Sequence, residues 1–233
     1  MAVSSLVLSA MLGLVGTEWA AHVAAVAQAR DTLGLRAFQT GTGRCPDSAA
    51  HCFGIALHVV TDDAEQPVQT PLWMHDQIAH ANALFESISV GFEVVSVDAE
   101  AAERGDVPTR RDRDRLGRPD FSRGVVHVYV VERLADVDVE GEVIRGVHWR
   151  FRPDVSKRWI ILSSIGKFTV LAHELGHFFG LPHSTYQVSI MNKRPRDLPW
   201  PDRVFAGPEV TSMKAHRDTM LGDGMLVNRK RRR

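Results

Sequence analysis

The stretch VLAHELGHFFGLPHSTYQVSIM, residues 170–191, contains three histidines, a glutamate and two glycines, and their spacing is the most informative feature of the sequence. Residues four apart share one face of a helix, so His173 and His177 can point at one ion with Glu174 beside them. The apolar side chains of the same segment would face a sheet on the opposite side: Leu171, Leu175 and Phe178. The pattern predicts an amphipathic helix whose histidines lie on its exposed stripe.

The residues that follow predict where this helix ends. Gly180 can take the left-handed conformation that stops a helix, and Pro182 prevents the helix from resuming. The chain can then turn back and bring His183 to the same ion as a third imidazole. Three neutral imidazoles leave the fourth tetrahedral position of zinc for a water, which is typical of a catalytic site. Such an ion lowers the pKa of the water toward about 7, and Glu174 can carry its proton to a leaving amine.

HELGHFFGLPH followed by Ser184 resembles the zinc signature of the metzincin metallopeptidases, and of the matrixins in particular. Residues 189–191, Ser-Ile-Met, stand where that clan has its Met-turn. The resemblance implies zinc as the cofactor, a general base at Glu174, and Met191 as a packing platform under the zinc rather than a ligand. The zinc ligands that it implies are His173, His177 and His183. The implied activity is that of a zinc endopeptidase.

The same resemblance implies how a peptide would be held. Residues 143–150 stand where the clan has its sheet-edge strand, which can pair with an extended peptide. The pocket for the side chain after the scissile bond would be lined by the zinc helix and residues 186–193. We expect Tyr186, Val188 and Ile190 to favour an apolar side chain, whereas Lys193 or Arg194 at the mouth could admit an acidic one instead.

The chain also departs from the clan in several places. Lys193 stands two residues after the methionine, where some members have a tyrosine, so we expect no fifth ligand. No His/Asp run upstream resembles the second, structural zinc site of matrixins. His127 and His148 lie on predicted strands, and we interpret them as ordinary half-buried histidines rather than ligands.

Strand and helix patterns follow one another in an order that predicts a mixed α/β fold. The strand patterns cover residues 53–60, 91–97, 124–132, 143–150 and 158–163, and the helical patterns cover 71–87, 168–179 and about 208–221. The order favours a mainly parallel mixed sheet covered by helices. The resemblance implies a twisted, five-stranded, metzincin-like sheet, a zinc helix, a Met-turn and a small C-terminal lobe with one helix. Residues 99–123, which are charged and interrupted by proline and glycine, are predicted to form a surface loop.

The N-terminus predicts an export signal over residues 1–29. The apolar stretch LVLSAMLGLV, residues 6–15, is too short to span a bilayer, and the A-x-A pattern occurs twice by residue 29. The alternative is an apolar first helix of the fold, since no Lys or Arg precedes Arg30. A cleaved signal predicts a secreted or periplasmic protein.

The remaining chain is divided by its patterns into three parts. Residues 30–51 form an N-terminal segment that could serve as a short propeptide, and residues 52–224 form the metallopeptidase domain. Its upper lobe would extend to about residue 183 and its lower lobe would cover 184–224. Residues 225–233 form a basic tail ending in NRKRRR, which we expect to be disordered and solvated, with contact to a polyanion as the alternative.

Two cysteines, Cys45 and Cys52, occur close together in GRCPDSAAHCF. In an oxidising compartment the simplest interpretation is a local disulfide. The alternative is that Cys45 lends a thiolate to the metal and keeps the enzyme latent. That arrangement resembles the cysteine switch of matrixin propeptides only loosely, because the residues that the family places between Cys and Pro are missing.

Composition limits the classes of partner. The 28 basic and 28 acidic residues of this 233-residue chain cancel, so no global field attracts nucleic acid or an anionic membrane. We expect a monomer that acts on peptides or proteins, with no membrane span and no specific nucleic acid. Calcium is not expected in RDRDRLGRPD, because interleaved arginines oppose the charge that Asp112, Asp114 and Asp120 would need to accumulate.

Two other functions remain open. Bacterial endoribonucleases of ribosomal RNA maturation share the HxxxHxxGxxH spacing, but they lack the glutamate after the first histidine, and Glu174 is present here. A zinc-containing protein that binds a peptide in its cleft without turnover would keep every residue of the motif.

Overall fold

The computed structural model describes residues 43–62, 64, 66–193 and 202–230. The predicted signal peptide, most of the segment 30–51 and Arg194 lie outside these residues. The strands are β1 (His51–Val60), β2 (Val90–Glu100), β3 (Asp106–Val107), β4 (Val125–Val131), β5 (Arg133–Leu134), β6 (Gly146–Arg150) and β7 (Arg158–Ser163). The helices are α1 (Pro71–Phe85), α2 (Arg110–Gly117), α3 (Val170–Phe178) and α4 (Gly207–Gly222), with 3-10 turns at Glu86–Ile88 and Ala102–Arg104.

Five of the strands form one mixed sheet in the order β2-β1-β4-β7-β6. Neighbouring strands are parallel except for β6, which is antiparallel to β7 and forms one edge of the sheet. This confirms the predicted five-stranded, mainly parallel α/β sheet. Strands β3 and β5 form a separate two-stranded pair. Within the described ranges, no helix combines the length and the apolar character that a membrane crossing needs.

The main core lies between one face of the sheet and the helices α1 and α3. Successive strand residues point to opposite faces, so Phe53, Ile55 and Leu57 of β1 all enter this core. On α3 the three apolar side chains predicted to face the sheet are all buried: Leu171, Leu175 and Phe178. A second, smaller core on the other face is built around Tyr129 and Trp159.

The prediction of a surface loop over residues 99–123 was wrong. Strand β2 continues to Glu100, and the segment also contains β3 and helix α2. The side chain of Thr109 caps α2 by accepting the backbone N–H of Asp112. The helix packs closely on β7, because a Cβ added to Gly117 would lie only 2.1 Å from the ring of Trp159. The buried face of α2 therefore contains a glycine and few apolar residues. For this reason the segment lacks the hydrophobic periodicity that would have predicted a helix.

The three aspartates considered for calcium have separate partners. The Asp112 carboxylate accepts a hydrogen bond from the Thr109 hydroxyl and lies 3.5 Å from the guanidinium of Arg115. Asp114 accepts a hydrogen bond of 2.7 Å from the indole of Trp149. Asp120 lies 3.5 Å from a guanidinium nitrogen of Arg104. The two ion pairs among these contacts belong to a helix and its flanks rather than to the predicted surface loop.

Both ends of the described chain meet at the start of β1. Cys45 and Cys52 form a disulfide, with their Cα atoms 5.7 Å apart, so Cys45 is not a free thiolate for a metal. The predicted disorder of the basic tail was wrong for its first residues. Asn228 accepts the N–H of Cys52 at 2.9 Å, and the N–H of Arg229 donates to the Cys52 carbonyl at 2.8 Å. The predicted division into lobes at residue 183 stays a prediction.

Candidate metal centre

The turn after α3 positions the third histidine. Gly180 has a φ of 89°, the left-handed conformation that was predicted to end the helix. The N–H of Leu181 donates to the Gly176 carbonyl at 3.0 Å and closes this turn. The ring of His216 from α4 covers Gly180 so closely that an added Cβ would lie 2.4 Å from it. Backbone conformation and packing therefore both require glycine here.

The structure brings the three histidines of the motif together. One ring nitrogen from each of His173, His177 and His183 lies within 4.8 Å of the other two. The ring centroids are 4.8 Å apart for His173 and His177, 4.8 Å for His177 and His183, and 5.6 Å for His173 and His183. Two ligand positions come from successive turns of α3 and the third from the loop that follows.

Backbone carbonyls fix the orientation of two of these rings. Nδ1 of His173 lies 2.8 Å from the Ile190 carbonyl, and Nδ1 of His177 lies 2.7 Å from the Leu181 carbonyl. A carbonyl can only accept, so each Nδ1 carries the proton and each Nε2 keeps its lone pair for an ion. Burial lowers the pKa of His173 to about 4 and also lowers the pKa of His177 and His183. Three neutral imidazoles in this arrangement fit zinc.

Glu174 is buried between α3 and the edge strand β6. It is 5% exposed, and an added Cβ on Gly146 would lie 3.2 Å from its Oε1. Burial raises the pKa of Glu174 to about 8, opposed by a hydrogen bond from the backbone of His148 and by the positive charge of Arg113. Glycine at position 146 lets β6 approach the carboxylate closely.

Arg113 contributes to this site from a helix that the sequence did not predict. Its guanidinium is buried, donates to the Ala135 carbonyl at 2.7 Å and lies 5.0 Å above the ring of Trp149. Sequence reasoning missed Arg113 and Gly146. The weak signal for Arg113 was its spacing of three from Leu116, which places both on one helix face.

Met191 packs directly against the backbone of α3. Its side chain is fully buried, and an added Cβ on Gly176 would lie 2.3 Å from its sulfur. The glycine inside the motif therefore leaves the space that the methionine fills. Its role as a platform under zinc stays a prediction.

A buried carboxylate of α4 anchors the turn that contains Met191. The Met191 N–H donates to Oγ of Ser189 at 2.9 Å, and this hydroxyl donates to Glu209 at 2.8 Å. Glu209 also accepts the N–H of Ala206 at 2.7 Å. Because the same turn presents the Ile190 carbonyl to His173, Glu209 and Ser189 support the orientation of an imidazole ring that they do not touch. Sequence reasoning missed both supports, which depend on contacts between distant segments.

We expect Ser189→Ala to weaken both the turn and zinc binding. The substitution leaves the Met191 N–H and the buried Glu209 carboxylate without this partner, which costs about 1–3 kcal/mol of unfolding free energy. Loss of such a support typically lowers metal affinity by about 10–100-fold. Urea unfolding of the metal-free protein and a competitive zinc titration measure the two effects. Ser212→Ala on α4 is the control, and equal zinc affinity in the two variants would contradict the supporting role.

The residues predicted for the substrate pocket have different environments. Tyr186 is 47% exposed, whereas Ile190 is 5% exposed and belongs to the main core. Lys193 is exposed, and its charge contributes to the lowered pKa of His183. The lining of a pocket by these three side chains stays a prediction.

The two other histidines singled out on strands do not join the three-histidine group. His127 is buried and lies 3.0 Å from a ring nitrogen of His58. His148 packs on Phe178 with ring centroids 5.5 Å apart, and burial lowers its pKa well below the usual value.

Comparisons with solved structures return distant likenesses. Metalloproteinase-II from Bacteroides fragilis is 11% identical with a TM-score of 0.49, over 78% of this chain and 60% of that one. Archaemetzincin from Methanopyrus kandleri is 15% identical with a TM-score of 0.48, over 74% of this chain and 97% of that one. A chaperone-substrate complex is 14% identical with a TM-score of 0.48, over 74% of this chain and 35% of that one. The chain thus spans 60% of metalloproteinase-II and 35% of the chaperone-substrate complex, and likenesses this distant carry no functional information.

The sequence comparison is more specific about the site. No curated protein sequence matches the chain significantly. The family model of the matrixins matches residues 132–198, which include all three histidines, Glu174 and Met191. Over this segment the chain is similar to the matrixins, and the match supports a metzincin-like zinc metallopeptidase.

Proposed function

We propose that the chain is a secreted or periplasmic zinc endopeptidase. The observation that carries the proposal is the convergence of three imidazole nitrogens within 4.8 Å of one another, next to the buried Glu174. His173, His177 and His183 are the proposed ligands, and the carbonyls that fix two of the rings support this assignment. One zinc per chain is the proposed cofactor.

In the proposed hydrolysis of a peptide bond, the zinc ion and the Glu174 carboxylate have different roles. When bound, zinc supplies Lewis-acid activation of water and of the scissile carbonyl. Glu174 takes a proton from the attacking water at a carboxylate oxygen and delivers it to the nitrogen of the leaving amine. Its burial supports this role, because a carboxyl group shielded from bulk water holds a proton between the two transfers more readily than an exposed one.

The edge strand β6 provides a way to hold the substrate. It pairs with β7 on one side, and its place at the sheet edge leaves the other side for an extended peptide. Gly146 of this strand contacts Glu174, so a peptide paired with β6 would pass beside the catalytic carboxylate. Backbone pairing favours extended or unfolded segments and cleavage within a chain rather than at its end.

The disulfide between Cys45 and Cys52 supports export, since such bonds persist mainly in oxidising compartments. We propose cleavage of a signal peptide near residue 29. N-terminal sequencing of secreted material tests this, and an intact Met1 on protein retained in the cytoplasm would contradict it.

A peptide-library digest tests the proposed activity. We expect zinc-loaded wild type to cleave internal bonds, with an apolar bias after the cut bond, and Glu174→Ala to cleave none of them. Tyr186→Ala and Lys193→Ala should change the preferred residue after the cut bond if these side chains line the pocket. An unchanged profile would place the pocket elsewhere. Peptide binding without cleavage in wild type would instead support the non-catalytic alternative, and cleavage of RNA alone would support the endoribonuclease.

A further inference from the structure

A second cluster of chemically active side chains lies on the sheet face away from α1 and α3. The residues that point to this face alternate along each strand with the residues that enter the main core. A cavity of about 460 Å³ on this face opens to solvent. Its lining residues include His58 and His127 from β1 and β4, and Glu100 from β2. Asp98 and Asp120 complete its acidic wall.

Three donor atoms converge in this cavity. A ring nitrogen of His58 and one carboxylate oxygen each from Glu100 and Asp120 lie within 4.8 Å of one another. Nδ1 of His58 is 3.1 Å from Glu100 Oε1, so this nitrogen faces the carboxylates. One imidazole and two carboxylates suit a divalent transition-metal ion with further positions for water. The cavity supplies the room for that water.

Neighbouring groups hold the three donors in place. The Ser122 N–H donates to Nε2 of His127 at 3.1 Å, so Nδ1 of His127 carries a proton toward the other nitrogen of His58, 3.0 Å away. An ion that binds Nδ1 of His58 therefore displaces the proton that this nitrogen shares with Glu100. The ring of His58 stacks on Tyr129 with centroids 4.3 Å apart. The hydroxyl of Tyr129 donates to Asp120 at 3.3 Å. Such outer contacts are what fixes ligand orientation in metal sites.

The charge balance of the cluster favours a divalent cation. Asp98, Glu100 and Asp120 bring three carboxylates to the cavity, and Arg104 is paired with two of them, Glu100 and Asp120. One guanidinium against three carboxylates leaves two uncompensated negative charges when all three are ionised. The Arg104 side chain is 29% exposed and also donates to the Leu116 carbonyl, so an ion has to displace its guanidinium from the two carboxylates.

We propose that His58, Glu100 and Asp120 form a second metal site, which binds a divalent transition-metal ion independently of the three-histidine centre. Arg104 competes with the ion for the two carboxylates. This inference does not depend on the proposed peptidase function, because none of its residues belongs to that centre.

Titration of the zinc-loaded protein with Mn²⁺, followed by the electron paramagnetic resonance signal of the free ion, tests the site. We expect wild type to bind one Mn²⁺ per chain. Asp120→Asn should weaken binding by at least about tenfold, as loss of a metal-binding group does. Asp98→Asn, the matched control on the same cavity wall, should weaken it by less than about threefold, which is the size of a screened electrostatic effect. Arg104→Ala should strengthen binding, because it removes the competing cation.

Weaker Mn²⁺ binding by Asp120→Asn and stronger binding by Arg104→Ala together indicate direct ligation, because structural damage would weaken binding in both variants. Absence of saturable Mn²⁺ binding in wild type would overturn the proposal, and so would equal weakening by Asp98→Asn and Asp120→Asn. Asp120 is partly exposed, so Asp120→Asn keeps the test valid even if His58→Ala fails to fold. The same titration on His183→Ala tests whether the second site is independent of the three-histidine centre. Retained Mn²⁺ binding in this variant supports the second site, and loss of binding would contradict its independence.

Discussion

Replacement of Glu174 by glutamine should lower kcat for peptide hydrolysis by about 10²–10⁴-fold, the contribution typical of a general acid–base group. Glutamine keeps the shape of the side chain beside Gly146 but cannot accept and return a proton at neutral pH. Zinc content should stay at the wild-type level, because Glu174 is not a proposed ligand. The loss should therefore lie in turnover and not in metal binding.

The measurement is steady-state cleavage of one peptide from the library digest, with zinc quantified on the same samples. Glu86→Gln is the matched control, since Glu86 is an exposed glutamate outside the site. A Glu174→Gln protein that keeps its zinc and cleaves within tenfold of wild type would show that another group transfers the proton.

Replacement of His183 by alanine should remove the zinc. Two imidazoles on α3 cannot by themselves hold a tetrahedral ion, and His183 is the proposed ligand from outside the helix. The affinity should fall by more than the roughly 10–100-fold that loss of a supporting group costs, and hydrolysis should fall with it. Because His183 is exposed, the apo fold should be little affected.

Competitive titration with a zinc chelator, together with elemental analysis after dialysis, measures this affinity. His75→Ala is the control, because His75 is a half-buried histidine of α1 outside the three-histidine group. Unchanged zinc in His183→Ala would mean that the ion is held elsewhere, and the assignment of all three ligands would fail.

The sheet could be predicted because its strands carry the pattern that burial imposes. GVVHVYVV and RWIILS are nearly continuous apolar runs, as expected for strands covered on both faces. Helix α2 could not be predicted in this way. Its buried face consists of Arg113, Leu116 and Gly117, and only one of these is apolar. The burial of an arginine depends on a carbonyl and an indole from distant segments, which no local pattern shows.

The tail escaped prediction for a related reason. Its contact with β1 uses backbone groups and the amide of Asn228, and backbone pairing leaves little trace in side-chain composition. At the metal centre, the spacing predicted which residues meet, since helix geometry and the turn at Gly180 are local. The supports from Glu209 and Gly146 could not be predicted, because these residues lie far from the histidines in sequence. Ser189 was placed in the Met-turn, but its hydrogen bond to Glu209 is made only by the fold.

Reconstitution of the metal-free protein with zinc tests the central claim most directly. Peptide hydrolysis should be absent without metal, rise in proportion to added zinc, and reach its maximum at one zinc per chain. The Glu174→Gln protein should bind the same equivalent without gaining comparable activity. Hydrolysis that persists in the metal-free protein, or one equivalent of zinc bound by wild type at the three histidines with no hydrolysis of any library peptide, would contradict a zinc endopeptidase.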